Sequence, residues 1–232
     1  MKHVELELLS LKEEVNQMWK LVLSQLEKAK QSFFNHDIEL AREVASRERR
    51  VNAFDLKIDS DCENYIALYS PVAVDLRLAL SLIKISRTLE RIGDFATGVV
   101  RHVIDDDCNE LDPHMLEELQ IEKMFDVVIS MLSDCFVALE SENTKISGKI
   151  IAKDEIVDDI YKESLEILSV TIEKTPTLAR CALKTYALIR KLERIGDHCN
   201  NIVEEIVFYV DAKVLKHKGK HESTKTLKMD SL

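Results

Sequence analysis

LERIGD occurs twice in this chain, at Leu89–Asp94 and again at Leu192–Asp197, with starts 103 residues apart. Each copy sets a Glu and an Asp four residues apart, with a glycine directly before the Asp. Around the first copy, apolar residues fall at Ile92, Ala96, Val99 and Val103; around the second, at Ile195, Cys199, Ile202 and Ile206. Gaps of three and four describe one face of an α-helix, with the acid pair roughly on the other side. Both hexapeptides are therefore read as helical.

The same period extends outward. Val4, Leu8, Leu11, Val15, Met18, Val22, Leu26, Ala29 and Phe33 predict a first helix, ending at Asn35-His36-Asp37. A second run from about Ile38 to Tyr69 carries Val44, Val51, Phe54, Ile58, Cys62, Tyr65 and Tyr69 on one stripe. Ser70-Pro71 interrupts it, since proline suits the first turn of a new helix. The third run, from Val72 to Ile104, holds the first LERIGD. After an acidic linker, Asp105–Pro113, the pattern recurs over about His114–Leu139, Lys145–Glu173 and, past Thr175-Pro176, to about Lys216. Two further markers keep nearly the same offset. RERRVN at Arg47–Asn52 aligns with KDEIVD at Lys153–Asp158 at 106, and Pro71 aligns with Pro176 at 105. The expectation is an all-α protein of two tandem three-helix bundles made by internal duplication, at 1–106 and 112–216. A polar, basic tail at 217–232 is expected to be mobile.

Composition agrees. Only 5 glycines and 3 prolines occur in 232 residues, and 46% of residues are apolar, which suits long helices around a sizeable core. The net charge of −10 leaves no basic face before the tail, so no nucleic-acid partner is expected. No run of 18 apolar residues exists, so no direct membrane insertion is expected. MKHVELELL lacks the apolar core of a signal peptide, and five cysteines without a CxxC pair suit reduced thiols, so a cytoplasmic location is expected.

The repeated acids carry the chemistry. Residues four apart share a helix face, about 5–6 Å between Cβ atoms, so like charges there repel. The preceding helices bear matching pairs, Glu48/Asn52 and Asp154/Asp158. If helices two and three form a hairpin about Ser70-Pro71, Glu48 lies 22 residues before the turn and Asp94 lies 23 after it. Asn52 and Glu90 lie 18 and 19 away; Asp154 and Asp197 both lie 21 from Thr175-Pro176, and Asp158 and Glu193 both 17. At about 1.5 Å per residue, each set of four stands at one height. Their oxygens suit magnesium, calcium, manganese or iron. The alternative is a solvated acidic face neutralised by Arg87 and Arg190, three residues before each Glu. Gly93 and Gly196 cost about 1 kcal/mol each relative to alanine mid-helix, which points to close approach of another chain segment or a ligand. His198, beside Asp197, is either a structural residue or an added ligand.

These segments, with SPVAVDLRLALSLIKISRTLERIGD and the HCNNIVEEIVFYV that follows the second hexapeptide, resemble the PhoU family of phosphate-signalling proteins over nearly the whole chain. The resemblance implies two three-helix bundles related by a pseudo-twofold. It also implies a cytoplasmic homodimer that links the phosphate ABC transporter's ATPase subunit to the phosphate-sensing histidine kinase, as a negative regulator. It implies multinuclear metal clusters (iron, zinc, manganese or magnesium) held by Glu48, Asn52, Glu90 and Asp94 in one repeat and by Asp154, Asp158, Glu193 and Asp197 in the other. Asn52 replaces a carboxylate, and Phe95 and Gly98 stand where the second repeat has His198 and Asn201. The second site is therefore expected to be the stronger. No enzymatic activity is expected. The competing readings are a helical metal-storage protein or metalloenzyme, or a purely structural scaffold. The di-iron class needs Glu-x-x-His pairs, and no histidine here has a glutamate three residues before it. HExxH and P-loop motifs are also absent.

Overall fold

A computed structural model describes residues 3–105 and 113–215; most of the acidic linker and the tail at 217–232 lie outside the described residues. The described chain is helical and contains no strand: α1 His3–Asn35, α2 Ile38–Ser46, α3 Glu48–Tyr69, α4 Ala73–Ile104, α5 Pro113–Glu118, α6 Ile121–Glu140, α7 Ser147–Lys174 and α8 Ala179–Asp211. Two groups of helices emerge, one built on α1, α3 and α4, the other on α6, α7 and α8.

Three predicted helices are shorter or broken. The run from Ile38 to Tyr69 is interrupted at Arg47, whose N–H donates to Val44 O, one residue short of the α-helical partner. Ser46 Oγ binds Glu43 O at 2.7 Å, so a side chain competes for the backbone there. The run from His114 to Leu139 breaks at Leu119-Gln120, where Gln120 takes a left-handed conformation (φ 49°). The last helix stops at Asp211, because Ala212 is also left-handed (φ 55°). The turn after α1 follows local chemistry: Asp37 caps α2 by accepting from Leu40 N at 2.9 Å.

The two halves join side by side through antiparallel pairs. On α1, Leu11, Val15, Met18, Trp19, Val22, Leu26 and Ala29 are buried. Trp19 lies against Phe136 of α6 and donates Nε1–H to Leu132 O at 3.2 Å. Lys30 bonds Asp126 and Asn16 bonds Glu140 at opposite ends of this pair, which fixes its antiparallel sense. The second pair is α4 with α8: Arg77 Nε donates to Tyr209 O, Ser81 Oγ to Glu205 O, and Phe95 stacks on His198. All four cysteines in the described residues are buried, and Cys135 Sγ contacts Cys199 O at 3.5 Å, so they serve as small core side chains.

Candidate functional site

The glycines locate the carboxylate level. A Cβ on Gly196 would fall 2.7 Å from Asp154 Oδ1 and 3.6 Å from Val157 Cγ1. A Cβ on Gly93 would fall 3.3 Å from Val51 Cγ1 and 3.4 Å from Gln25 Oε1. Val51 and Val157 are the residues that the RERRVN–KDEIVD alignment pairs. The two hairpins α3–α4 and α7–α8 therefore meet at equivalent heights, and each central glycine is where the partner helix comes close.

At this level the first repeat assembles negative charge. Burial and the neighbouring Asp94 and Asp55 carboxylates push the Glu90 pKa up; burial and Glu48 do the same for Asp94. Glu48, Glu90 and Asp94 thus feel one another across α3 and α4, as the hairpin register requires. Asn52 Oδ1 is buried there with no hydrogen-bond partner, and so is Gln25 Oε1, contributed by α1. Arginines meet part of the charge. Arg101 reaches Glu48 at 3.7 Å, and Arg87 turns to α3, contacting Asp55 at 3.5 Å and Asp59 at 3.8 Å rather than pairing within its own helix.

Asp55 joins this level, although the spacing argument did not single it out. It is buried and accepts from Ser86 Oγ at 3.1 Å. The signal was available: Asp55 interrupts the apolar stripe Val51, Ile58, Cys62, and an acid on such a stripe needs a partner. The aligned residue in the second repeat is Tyr161, whose hydroxyl accepts from Tyr186 at 2.8 Å.

The second repeat differs. Asp154 and Asp158 are buried, and Asp154 Oδ2 accepts from Asn200 Nδ2 at 2.6 Å. Glu193 and Asp197 are half-buried on α8. The second level's α7 pair is enclosed, whereas Asp94 of the first is exposed. Among the described residues, no three His, Cys, Asp or Glu side chains converge in a geometry that would hold an ion. The donor set nonetheless has the chemistry for a hard cation: clustered carboxylates, raised pKa values, and an orphaned amide oxygen at Asn52.

His198 belongs elsewhere. Its ring stacks on Phe95, centroids 5.5 Å apart, and Phe95 is its counterpart at the 103-residue offset. The pair sits where α4 crosses α8. Asn201 Nδ2 lies 3.3 Å from His198 Nδ1, and Arg194 lies over the Phe95 ring at 6.0 Å. Burial, with Arg194 and Arg91 nearby, pushes the His198 pKa down to about 4, so the ring is neutral at physiological pH. Gly98 lets Lys191 pass: a Cβ there would meet Lys191 Cε at 2.6 Å. Phe95 and Gly98 are thus interface residues between the halves, which accounts for their divergence from His198 and Asn201.

A family model described as the PhoU domain matches the chain twice, over residues 15–103 and 121–206. Among curated proteins, the chain is 31% identical over 222 residues to the phosphate-specific transport system accessory protein PhoU of Escherichia coli (strain K12), covering 95% of this chain and 90% of that one. It is 29% identical over 214 residues to a PhoU homolog of Thermotoga maritima described in the same terms, covering 92% and 91%. Among solved structures, PhoU from Pseudomonas aeruginosa superposes with a TM-score of 0.83 at 27% identity, over 90% of this chain and 99% of that one. The two matched segments are the two repeats that LERIGD marks, and the chain belongs to the PhoU family.

Proposed function

We propose that this chain is a non-enzymatic, cytoplasmic regulator of phosphate uptake and phosphate-starvation signalling. The observation that carries this reading is the twofold domain match along the chain, together with relatives named as accessory proteins of the phosphate-specific transport system. Among the described residues no helix is long and apolar enough to cross a membrane. In this reading the chain acts as a homodimer. It docks on the ATPase subunit of the phosphate ABC transporter and on the phosphate-sensing histidine kinase, and it biases the kinase toward repression when phosphate is ample. Long helical surfaces suit such docking.

A metal cluster is part of the proposal. Glu48, Asn52, Glu90 and Asp94 would hold one group of ions, and Asp154, Asp158, Glu193 and Asp197 the other. Bound cations would neutralise the like charges that raise the pKa of Glu90 and Asp94, tying α3 to α4 and α7 to α8. The regulatory role is tested by deleting the gene. Phosphate-scavenging genes are expected to be expressed in phosphate-rich medium, and complementation is expected to restore repression. Normal repression in the deletion strain refutes the role.

A further inference from the structure

We infer that the groove between α4 and α8 is a binding site for a singly protonated tetrahedral oxyanion, hydrogen phosphate. The choice of phosphate among oxyanions rests on the phosphate-transport reading above; the case for an oxyanion site does not. The groove has a volume of about 370 Å³ and is walled by Lys84, Arg87, Thr88 and Arg91 of α4 and by His198, Asn201, Glu204 and Glu205 of α8, with Ile83. Lys84 is paired with Glu205, and Arg87 with Asp55 and Asp59, so Arg91 is the cation of the lining that no ion pair takes up among the described residues.

Two donors there are not used up. Arg91 is exposed and donates to no other side chain among the described residues. His198 is only 5% exposed. The Asn201 amide contact at Nδ1 assigns the ring proton to Nε2. That N–H is buried and has no hydrogen-bond partner, a state that costs about 1–3 kcal/mol in a native protein unless something fills it. The Arg91 guanidinium and the Asn201 amide line the groove, and the orphaned His198 N–H is buried in its wall; Thr88 Oγ1 already donates to Lys84 O at 2.7 Å. Together the first three form a donor set that an oxyanion satisfies.

The Glu205 carboxylate agrees with that choice. Glu205 is pinned by Lys84 through contacts of 3.0 and 3.1 Å to its two oxygens. A carboxylate offers about four acceptor positions, so two remain for a donor from the ligand. Hydrogen phosphate carries an O–H that can donate there. Sulfate carries none, and its oxygens would face the carboxylate with repulsion.

The duplication isolates the site. The mate groove, generated by the 103-residue offset, falls between Arg190–Arg194 of α8 and Phe95–Arg101 of α4. There Gly98 replaces Asn201 and the Lys191 chain lies on it, with Cδ at 3.0 Å from a built Cβ. That groove is filled by the protein itself, and Phe95 supplies no N–H.

The test is calorimetric titration of the full chain with inorganic phosphate, with sulfate and with glycerol phosphate. Saturable phosphate binding is expected, with sulfate weaker by about tenfold or more. Arg91→Gln and Asn201→Ala should each weaken phosphate binding, by about tenfold for the arginine. Arg190→Gln in the mate groove should leave binding unchanged, and circular dichroism should show all variants folded. No heat with either phosphate compound, or phosphate binding that Arg91→Gln leaves intact, overturns the site. Sulfate binding as tightly as phosphate overturns the assignment to hydrogen phosphate, and binding of glycerol phosphate alone overturns the free-ion form. Failure here leaves the deletion phenotype untouched, so the two proposals fall separately.

Discussion

Gly196→Ala isolates the close approach of α7 to α8. Alanine is favoured over glycine mid-helix by about 1 kcal/mol, so on helix propensity alone the variant is more stable. The new Cβ, however, would stand 2.7 Å from Asp154 Oδ1, a distance that real Cβ contacts do not reach. Asp154 is buried and held by Asn200 at 2.6 Å. Moving the carboxylate away disturbs a hydrogen bond to a charged group worth about 1.5–3 kcal/mol. The net expectation is destabilisation of about 0.5–2 kcal/mol, or about 2–4 °C in Tm per kcal/mol for a chain of this size. Gly93→Ala is the internal control. Its nearest neighbours are Val51 Cγ1 at 3.3 Å and Gln25 Oε1 at 3.4 Å, which need give only slightly, so it should lie between neutral and about 1 kcal/mol more stable. Urea unfolding followed by circular dichroism measures both. In an Asp154→Ala background the clash is gone, and Gly196→Ala should change sign and stabilise. Gly196→Ala as stable as the parent, or a penalty that survives Asp154→Ala, refutes the reasoning.

His198 stays neutral down to about pH 4, whereas the ring titrates near 6.5 when unperturbed. The unfolded chain therefore binds this proton first, and stability falls as pH drops from 6.5 to 4; His198→Phe should remove up to about 3 kcal/mol of that slope by pH 4. An unchanged slope in denaturation series across that window speaks against the neutral ring. Trp19→Phe removes the N–H that Trp19 Nε1 donates to Leu132 O at 3.2 Å, while that carbonyl keeps its helical partner in α6, and the lost bond should cost about 0.5–1.5 kcal/mol, read from the urea midpoint; no change would mean the bond carries no weight. Elemental mass spectrometry on protein purified without chelator or nickel resin should find more than one tightly held metal per chain. Glu90→Gln/Asp94→Asn and Glu193→Gln/Asp197→Asn should each lower it, and a metal-free parent after reconstitution with iron, manganese or zinc refutes the cluster. In metal-free protein, Glu90→Gln should stabilise by about 0.2–0.5 kcal/mol through relief of i,i+4 repulsion; destabilisation of the metal-free variant in urea would contradict it.

Helix identity and duplication were legible because they rest on periodicity and offset, which sequence states directly. The hairpin register was legible too: counting residues from Ser70-Pro71 set Glu48 beside Asp94, and the structure couples their charges. Helix interruptions at Arg47 and Gln120 were not, because neither carries glycine or proline, and both depend on backbone geometry with little composition signal. The role of His198 was not legible either. Counting along one hairpin says nothing of how α4 crosses α8, so the choice between a structural His198 and an added ligand stayed open until its ring was seen to stack on Phe95 of the other repeat.

That crossing explains where the repeats had to diverge. Near a twofold axis, a residue on one copy meets its own counterpart on the other. Identical side chains there must tolerate themselves. Two equivalent lysines, or two arginines without an intervening ring, would repel across the axis. The chain instead pairs Phe95 with His198, seats Arg194 over Phe95, and places Gly98 opposite Lys191. Away from the axis, at Val51/Val157 and at Gly93/Gly196, the copies remain alike because each packs within its own half. The exchange of Phe95 for His198 and of Gly98 for Asn201 turns one of two equivalent grooves into a donor-lined opening, while the Lys191 chain fills the other.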